Sequence, residues 1–256
     1  MTIQIHATPT APGRGAWTFY GGLLPLRDGT TDRTGYYRLN RGNEPMVGQR
    51  GTLAAATFSD VAVHLGVRGF QRQLGVVPDG LFGPKTDIAL RAFQAARTAE
   101  VGVADGILGR RTARALFRPL ITKIAKAHGV SPKTLAGLVI WESQLDPAAV
   151  GVANGADSGL CQINLLAHKT VVVEDAFDPA FALNWTATDL RKIMDRWRGK
   201  TKVDLEVIAI ANHNSPVSAA AWAERGVPPY SKKRAENGFP QIDEYVNSVL
   251  AAGEGF

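Results

Sequence analysis

From about residue 61 onward, apolar side chains recur three and four positions apart for most of the chain, which is the spacing of amphipathic helices. The pattern predicts helices over 119–128, 132–145, 178–198, 203–213, 216–225 and 240–251. Ser131 before Pro132, and Ser215 before Pro216, are start signals: a side-chain oxygen that can cap the helix, then a residue tolerated in its first turn. Further upstream FQRQLG, from Phe70, opens another helix, and Ile88, Ala89, Ala92 and Phe93 give one more helical run. Between the helices, Ala148 to Asn164 is rich in glycine and small polar residues and reads as loop or short strand. The first 60 residues are unassigned, with WTFY and TGYYRLN as their strand-like runs.

A repeat marks the middle of the chain. DGLFGPKT (Asp79–Thr86) recurs as DGILGRRT (Asp105–Thr112), and each copy leads into a helical pattern. Asp-Gly makes a turn, the second glycine allows a tight approach, and Thr86 or Thr112 can start the following helix.

At 256 residues the chain has room for two modest domains. A single cysteine, Cys161, excludes an internal disulfide framework. The formal charge of +6 implies attraction to polyanions. Charge alone does not choose among polyanions, and anionic wall polymers fit as well as nucleic acid; the basic residues are scattered and form no nucleic-acid-binding motif, so nucleic acid is not expected. No apolar run reaches membrane-spanning length, and the N-terminus shows no basic region followed by an apolar core. No cofactor is expected. The five histidines lack HExxH or comparable spacing, so no metal site is expected either.

Candidate chemistry centres on Glu142. On the predicted helix, Leu135, Leu138, Val139, Glu142 and Leu145 share one face, so the glutamate interrupts an apolar stripe. Burial there disfavours the charged form and suits the carboxyl to general-acid work near neutral pH. The plain alternative is a glutamate paired with an arginine at a helix end.

The surrounding text favours the first reading. WES at Trp141–Ser143, DP at Asp146–Pro147 and GADSGLCQIN from Gly155 resemble the signature of lysozyme-like lytic transglycosylases, relatives of goose lysozyme that cleave peptidoglycan strands. IANHNSP (Ile210–Pro216) and IDEYVNSVL (Ile242–Leu250) resemble that family's later motifs, in order. The repeat, with its flanking helices, resembles the three-helix peptidoglycan-binding domain found beside many wall hydrolases. The resemblances imply a mainly α protein: residues 1–60 unassigned and possible β structure there, 61–117 a peptidoglycan-binding domain, and 118–256 an α-rich lysozyme-like domain.

For the site, the resemblance implies Glu142 as catalytic acid, with Gln162, Asn164, Ser158, Gly159, His213 and Asn214 lining the substrate cleft. The family tyrosine near the acid falls at His213 or Asn212. Hydrolysis would need a second carboxylate, for which Asp157 is the better candidate. Asp146 precedes Pro147, where helices tend to end and the family uses the place for structure. Goose-type hydrolases commonly carry a carboxylate where Asn164 stands, which favours a transglycosylase making 1,6-anhydro ends over a muramidase.

Two other readings compete. Cys161 with His168 or His213 is a conceivable peptidase pair, although Cys161 replaces a family methionine and reads as a small buried hydrophobe. A decayed, non-catalytic wall anchor is disfavoured by the retained Glu142. A phage endolysin, held in the host cytoplasm before release to the wall, and a tail-associated lysin docked on the virion through residues 1–60 are both expected settings.

Overall fold

A computed structural model describes residues 58–80, 82–149 and 157–256, with side chains from residue 65 onward. Of the unassigned N-terminal segment, residues 1–57, with WTFY and TGYYRLN, lie outside these residues.

The described chain is mainly helical, as expected. In order it comprises α1 (Phe58–Leu74), α2 (Pro84–Ala95), α3 (Thr98–Val101), α4 (Arg110–His128) and α5 (Pro132–Ser143). A two-residue antiparallel pair follows, β1 (Asp157–Ser158) with β2 (Ile163–Asn164). Then come α6 (Val173–Ala176), α7 (Pro179–Trp197), α8 (Leu205–Asn214), α9 (Pro216–Arg225), α10 (Lys232–Glu236) and α11 (Ile242–Glu254). The chain forms two compact units. One holds the described residues up to Pro119 together with Glu142–Ala182; the other holds Leu120–Trp141 and Leu183–Phe256.

In the first unit the repeat has a physical cause. Gln71 on α1 is buried, and its Nε2 donates to Asp79 Oδ1 at 2.8 Å and to Thr86 Oγ1 at 3.0 Å. Its Oε1 accepts from the Gly80 N–H at 2.8 Å. Gln94 on α2 repeats the arrangement: Nε2 donates to Asp105 Oδ1 at 2.9 Å and Thr112 Oγ1 at 3.2 Å, and Oε1 accepts from the Gly106 N–H at 2.8 Å. Each glutamine therefore staples an Asp-Gly turn to the first turn of the next helix. Gly80 and Gly106, at φ of 79° and 72°, supply the left-handed backbone these turns need. The two threonines lie inside their helices and accept from the glutamines, in place of the expected helix-starting role.

The same bonds change the face that α2 buries. Thr86, Leu90 and Gln94 face inward, while Ile88, expected on the apolar side, is 66% exposed. Phe70 stacks on Phe82 with ring centroids 5.8 Å apart, and Leu90, Leu108 and Phe117 complete the apolar interior. The helix expected from residue 119 begins at Arg110, so Pro119 lies inside it.

In the second unit α5 is buried on all sides from Thr134 to Val139. Its burial is therefore all round, where the periodicity implied a single buried stripe. Gly137 and Gly253 let α5 and α11 approach closely: a Cβ on Gly137 would lie 2.1 Å from the Val249 carbonyl oxygen, and one on Gly253 would lie 2.2 Å from that of Lys133. Tyr245 is buried on α11 and meets Trp141 edge-on at 6.2 Å. Glu206 on α8 accepts from the Ser131 N–H at 2.9 Å and from the Thr134 hydroxyl, which holds the start of α5. At α9 the expected cap is present, Ser215 accepting from the Ser218 N–H.

Candidate active site

The helix carrying Glu142 ends at Ser143, two residues earlier than its periodicity implies. Gln144 and Leu145 adopt positive φ, 54° and 68°, and the chain turns sharply away. Two consecutive non-glycine residues in the left-handed region store strain, and strain of this kind is concentrated at functional sites. Leu145 thus leaves the face it was expected to share with Glu142. Gln144 is buried, and its side-chain amide has no hydrogen-bond partner among the described residues.

Asp146 holds the turn. Its Oδ1 accepts from the Ala148 N–H at 2.8 Å, and its own N–H donates to the Ser143 carbonyl at 3.0 Å. Burial pushes the Asp146 carboxyl well above the usual carboxylate range, against the weaker opposing pull of the Ala148 N–H. This buried position supports the structural role expected of it.

Ser143 is buried and donates from Oγ to the Leu160 carbonyl at 2.7 Å. Through that bond the end of α5 is fastened to the loop between β1 and β2. The loop is itself tightly specified. Gly159, at φ 71°, donates its N–H to the Ala149 carbonyl at 2.8 Å, and a Cβ on it would lie 2.0 Å from the Ala176 carbonyl oxygen. Gln162, another positive-φ residue at 50°, donates from Nε2 to the Gly159 carbonyl at 2.9 Å.

The predicted site residues fall into two groups. Glu142, Asp157, Ser158, Gly159, Gln162 and Asn164 lie in the first unit, while His213 and Asn214 lie at the end of α8 in the second. Glu142 is partly exposed, less buried than its place in the apolar stripe implied. Asp157 and Asn164 are cross-strand partners, the Asn164 Nδ2 donating to Asp157 Oδ1 at 2.8 Å. Asn164 Oδ1 also accepts from the Ala167 N–H at 2.8 Å. Ser158 is fully buried, and Asn214 accepts from Arg234 Nη1 at 2.8 Å. His213 is partly exposed.

Cys161 is fully buried, whereas His168 is exposed on the surface. Among the described residues no three His, Cys, Asp or Glu side chains are grouped to hold a metal ion, and no helix is long and apolar enough to cross a membrane. Sequence reasoning missed Ser143 as a tie and the two glutamines as staples. The Phe-Gln pair preceding each Asp-Gly turn was the signal available for the latter, at Phe70–Gln71 and Phe93–Gln94.

No curated protein matches the chain. Residues 119–225, which run from within α4 to the end of α9 and include Glu142, the β1–β2 loop, His213 and Asn214, match the family model described as the Transglycosylase SLT domain. This part of the chain is therefore an SLT lytic transglycosylase domain, with the Asp-Gly repeat lying before it.

Proposed function

We propose that the chain cleaves the β-1,4 bond between N-acetylmuramic acid and N-acetylglucosamine in peptidoglycan, as a lytic transglycosylase with Glu142 as general acid and then base. The observation that carries this reading is the end of α5. A partly exposed carboxyl stands there, beside a serine tied to a rigid glycine loop, within the stretch that matches the SLT domain. The Glu142 proton passes to the glycosidic oxygen as the C1–O bond breaks, and the leaving sugar takes the bonding electrons as a new hydroxyl. The acetamido oxygen of the muramic residue supports the cation at C1. The Glu142 carboxylate then removes the proton from the 6-hydroxyl of the same sugar as O6 bonds to C1. The product is a 1,6-anhydro end, and no water is consumed.

A muramidase reading rests on Asp157 activating water opposite Glu142. One Asp157 oxygen already accepts the Asn164 amide, which gives that carboxylate a structural use across the strand pair. The burial of Cys161 argues against a cysteine peptidase. Digestion of purified wall followed by mass analysis of the fragments separates the glycosidase readings: anhydro ends, lighter by one water, support the transglycosylase, and reducing ends support the muramidase. Glu142→Gln should lower turnover about a hundredfold or more while leaving wall binding intact, since the amide keeps the shape but carries no transferable acid proton.

The repeat is the candidate wall-binding module, in keeping with an endolysin or a virion lysin working on a polyanionic wall. Val77 and Val103, each two residues before an Asp-Gly turn, are 74% and 75% exposed at matching places of the two copies. We assign them to wall contact. The doubly substituted Val77→Ser, Val103→Ser protein should pellet less with insoluble wall than the parent does.

A further inference from the structure

We propose that α1, which belongs to the repeat module, sets the position of the catalytic loop, making Gly66 and Gly69 positioning residues for glycan cleavage. The inference rests on the glycan-cleaving function proposed above, and it gives the module a role beyond tethering.

Gly66, Gly69 and Arg72 follow one another at three-residue steps and so lie along one side of α1. Glycine inside a helix is disfavoured relative to alanine, so two on one side call for a reason. Close approach supplies it. A Cβ on Gly66 would lie 2.4 Å from the Ala148 Cβ, 2.7 Å from its Cα and 2.8 Å from its N. A Cβ on Gly69 would lie 2.6 Å from Pro179 Cδ and 3.1 Å from the Phe177 carbonyl oxygen. One turn on, Arg72 makes an ion pair with Asp178.

The two segments that the glycine side of α1 touches also hold the loop. Ala149, next to Ala148, accepts the Gly159 N–H. Ala176 and Phe177 form the wall against which Gly159 has no room for a side chain. Ala148 also donates to Asp146, whose N–H donates to the Ser143 carbonyl, and the Ser143 hydroxyl reaches Leu160. An added methyl on Gly66 meets backbone atoms, which cannot rotate away as a side chain tip can. Relief requires moving Ala148, and with it the turn that follows Glu142. Displacements of about 1 Å in a catalytic arrangement can cost up to about a hundredfold in rate.

A module acting only as a tether raises local concentration and changes binding. A module that positions the loop changes turnover. The test uses full-length Gly66→Ala, Ala148→Gly and the double variant, each checked by thermal unfolding to be folded at the assay temperature. Turnover and KM are read from fragments released from purified wall, wall pelleting is measured in parallel, and hydrogen exchange follows the Gly159 and Gln162 amides.

We expect Gly66→Ala to lower kcat about tenfold or more, with KM and pelleting little changed and with faster exchange at both amides. Ala148→Gly in the double variant should restore part of the rate and slow the exchange. A folded Gly66→Ala protein with parental kcat and exchange overturns the proposal, as does a change confined to KM and pelleting. If the parent protein releases no fragments, the glycan-cleaving function fails, while the exchange measurement still decides whether α1 positions the loop: faster exchange supports it and unchanged exchange overturns it.

Discussion

Gly159 and Gly199 share a backbone angle, φ 71° in both, but not an environment. Gly199, just beyond the end of α7, has nothing within 4 Å of where a Cβ would stand. At Gly159 the same atom would lie 2.0 Å from the Ala176 carbonyl oxygen, 2.9 Å from its carbon and 3.2 Å from Phe177 Cα. Alanine in the left-handed region costs about 1–2 kcal/mol. Roughly 0.4–1 kcal/mol of this is offset because alanine restricts the unfolded chain. Gly199→Ala should therefore lose about 1 kcal/mol, a fall in Tm of about 2–4 °C for a protein of this size. Gly159→Ala carries the same strain and adds a clash with backbone, which overpacking data place at about 1–3 kcal/mol more. Its total of about 2–4 kcal/mol corresponds to a fall of roughly 4–16 °C. Scanning calorimetry on the two variants and the parent measures this difference directly, with the shared φ cancelling. Equal falls in Tm would refute the claim that the loop is held by contact between Gly159 and the 176–177 backbone.

Two further outcomes follow from buried polar groups. Asp146→Asn keeps an acceptor for the Ala148 N–H and removes a carboxyl that burial holds above its usual range. A raised folded-state pKa means that the unfolded chain ionises first as pH rises, so this group lowers stability above the ordinary Asp range, with the full cost present once pH passes the folded value. Asp146→Asn should thus raise Tm at neutral pH and have little effect below about pH 4, which calorimetry across pH would test; a gain largest in acid would contradict the sign. Gln94→Leu should cost about 2–4 kcal/mol, because it leaves Asp105, Thr112 and the Gly106 N–H without their shared partner. Ile88→Ser, at an exposed place, should change stability by less than about 0.5 kcal/mol. Chemical denaturation of the pair would reverse the ranking that hydrophobicity alone gives.

Helices with conventional signals were legible in the sequence. Pro216–Arg225 has the predicted limits because Ser215 caps it, Pro216 begins it and Gly226 closes it at φ 76°. A helix was expected after the second repeat copy and another from Pro119; their continuity was missed because Pro119 looks like a helix beginning, yet it lies within one helix running from Arg110 to His128. A proline in that position removes one N–H and clashes with the preceding turn, and the surrounding burial of Ala115, Leu116, Phe117 and Ile121 outweighs the cost. The premature end of α5 was not visible either. Nothing in Gln144 or Leu145 announces a left-handed conformation, which packing and the Asp146 turn impose.

Periodicity identifies a buried face by its hydrophobic residues, and this chain repeatedly hides polar ones. Gln71, Thr86, Gln94, Thr112, Ser143, Asp146 and Ser158 are all buried. The glutamine and threonine pairs brace the repeat, Asp146 shapes the turn after the acid, and Ser143 fastens that turn to the loop. Each lies beside a segment with glycine or positive-φ backbone, whose N–H and C=O groups lack regular helix or strand partners. Buried backbone groups must be satisfied, and where secondary structure ends the side chains must satisfy them. The polar residues nearest Glu142 therefore serve first to hold backbone. That is why the motif reads clearly as text around the acid, while the job of each letter emerges only from its hydrogen bonds.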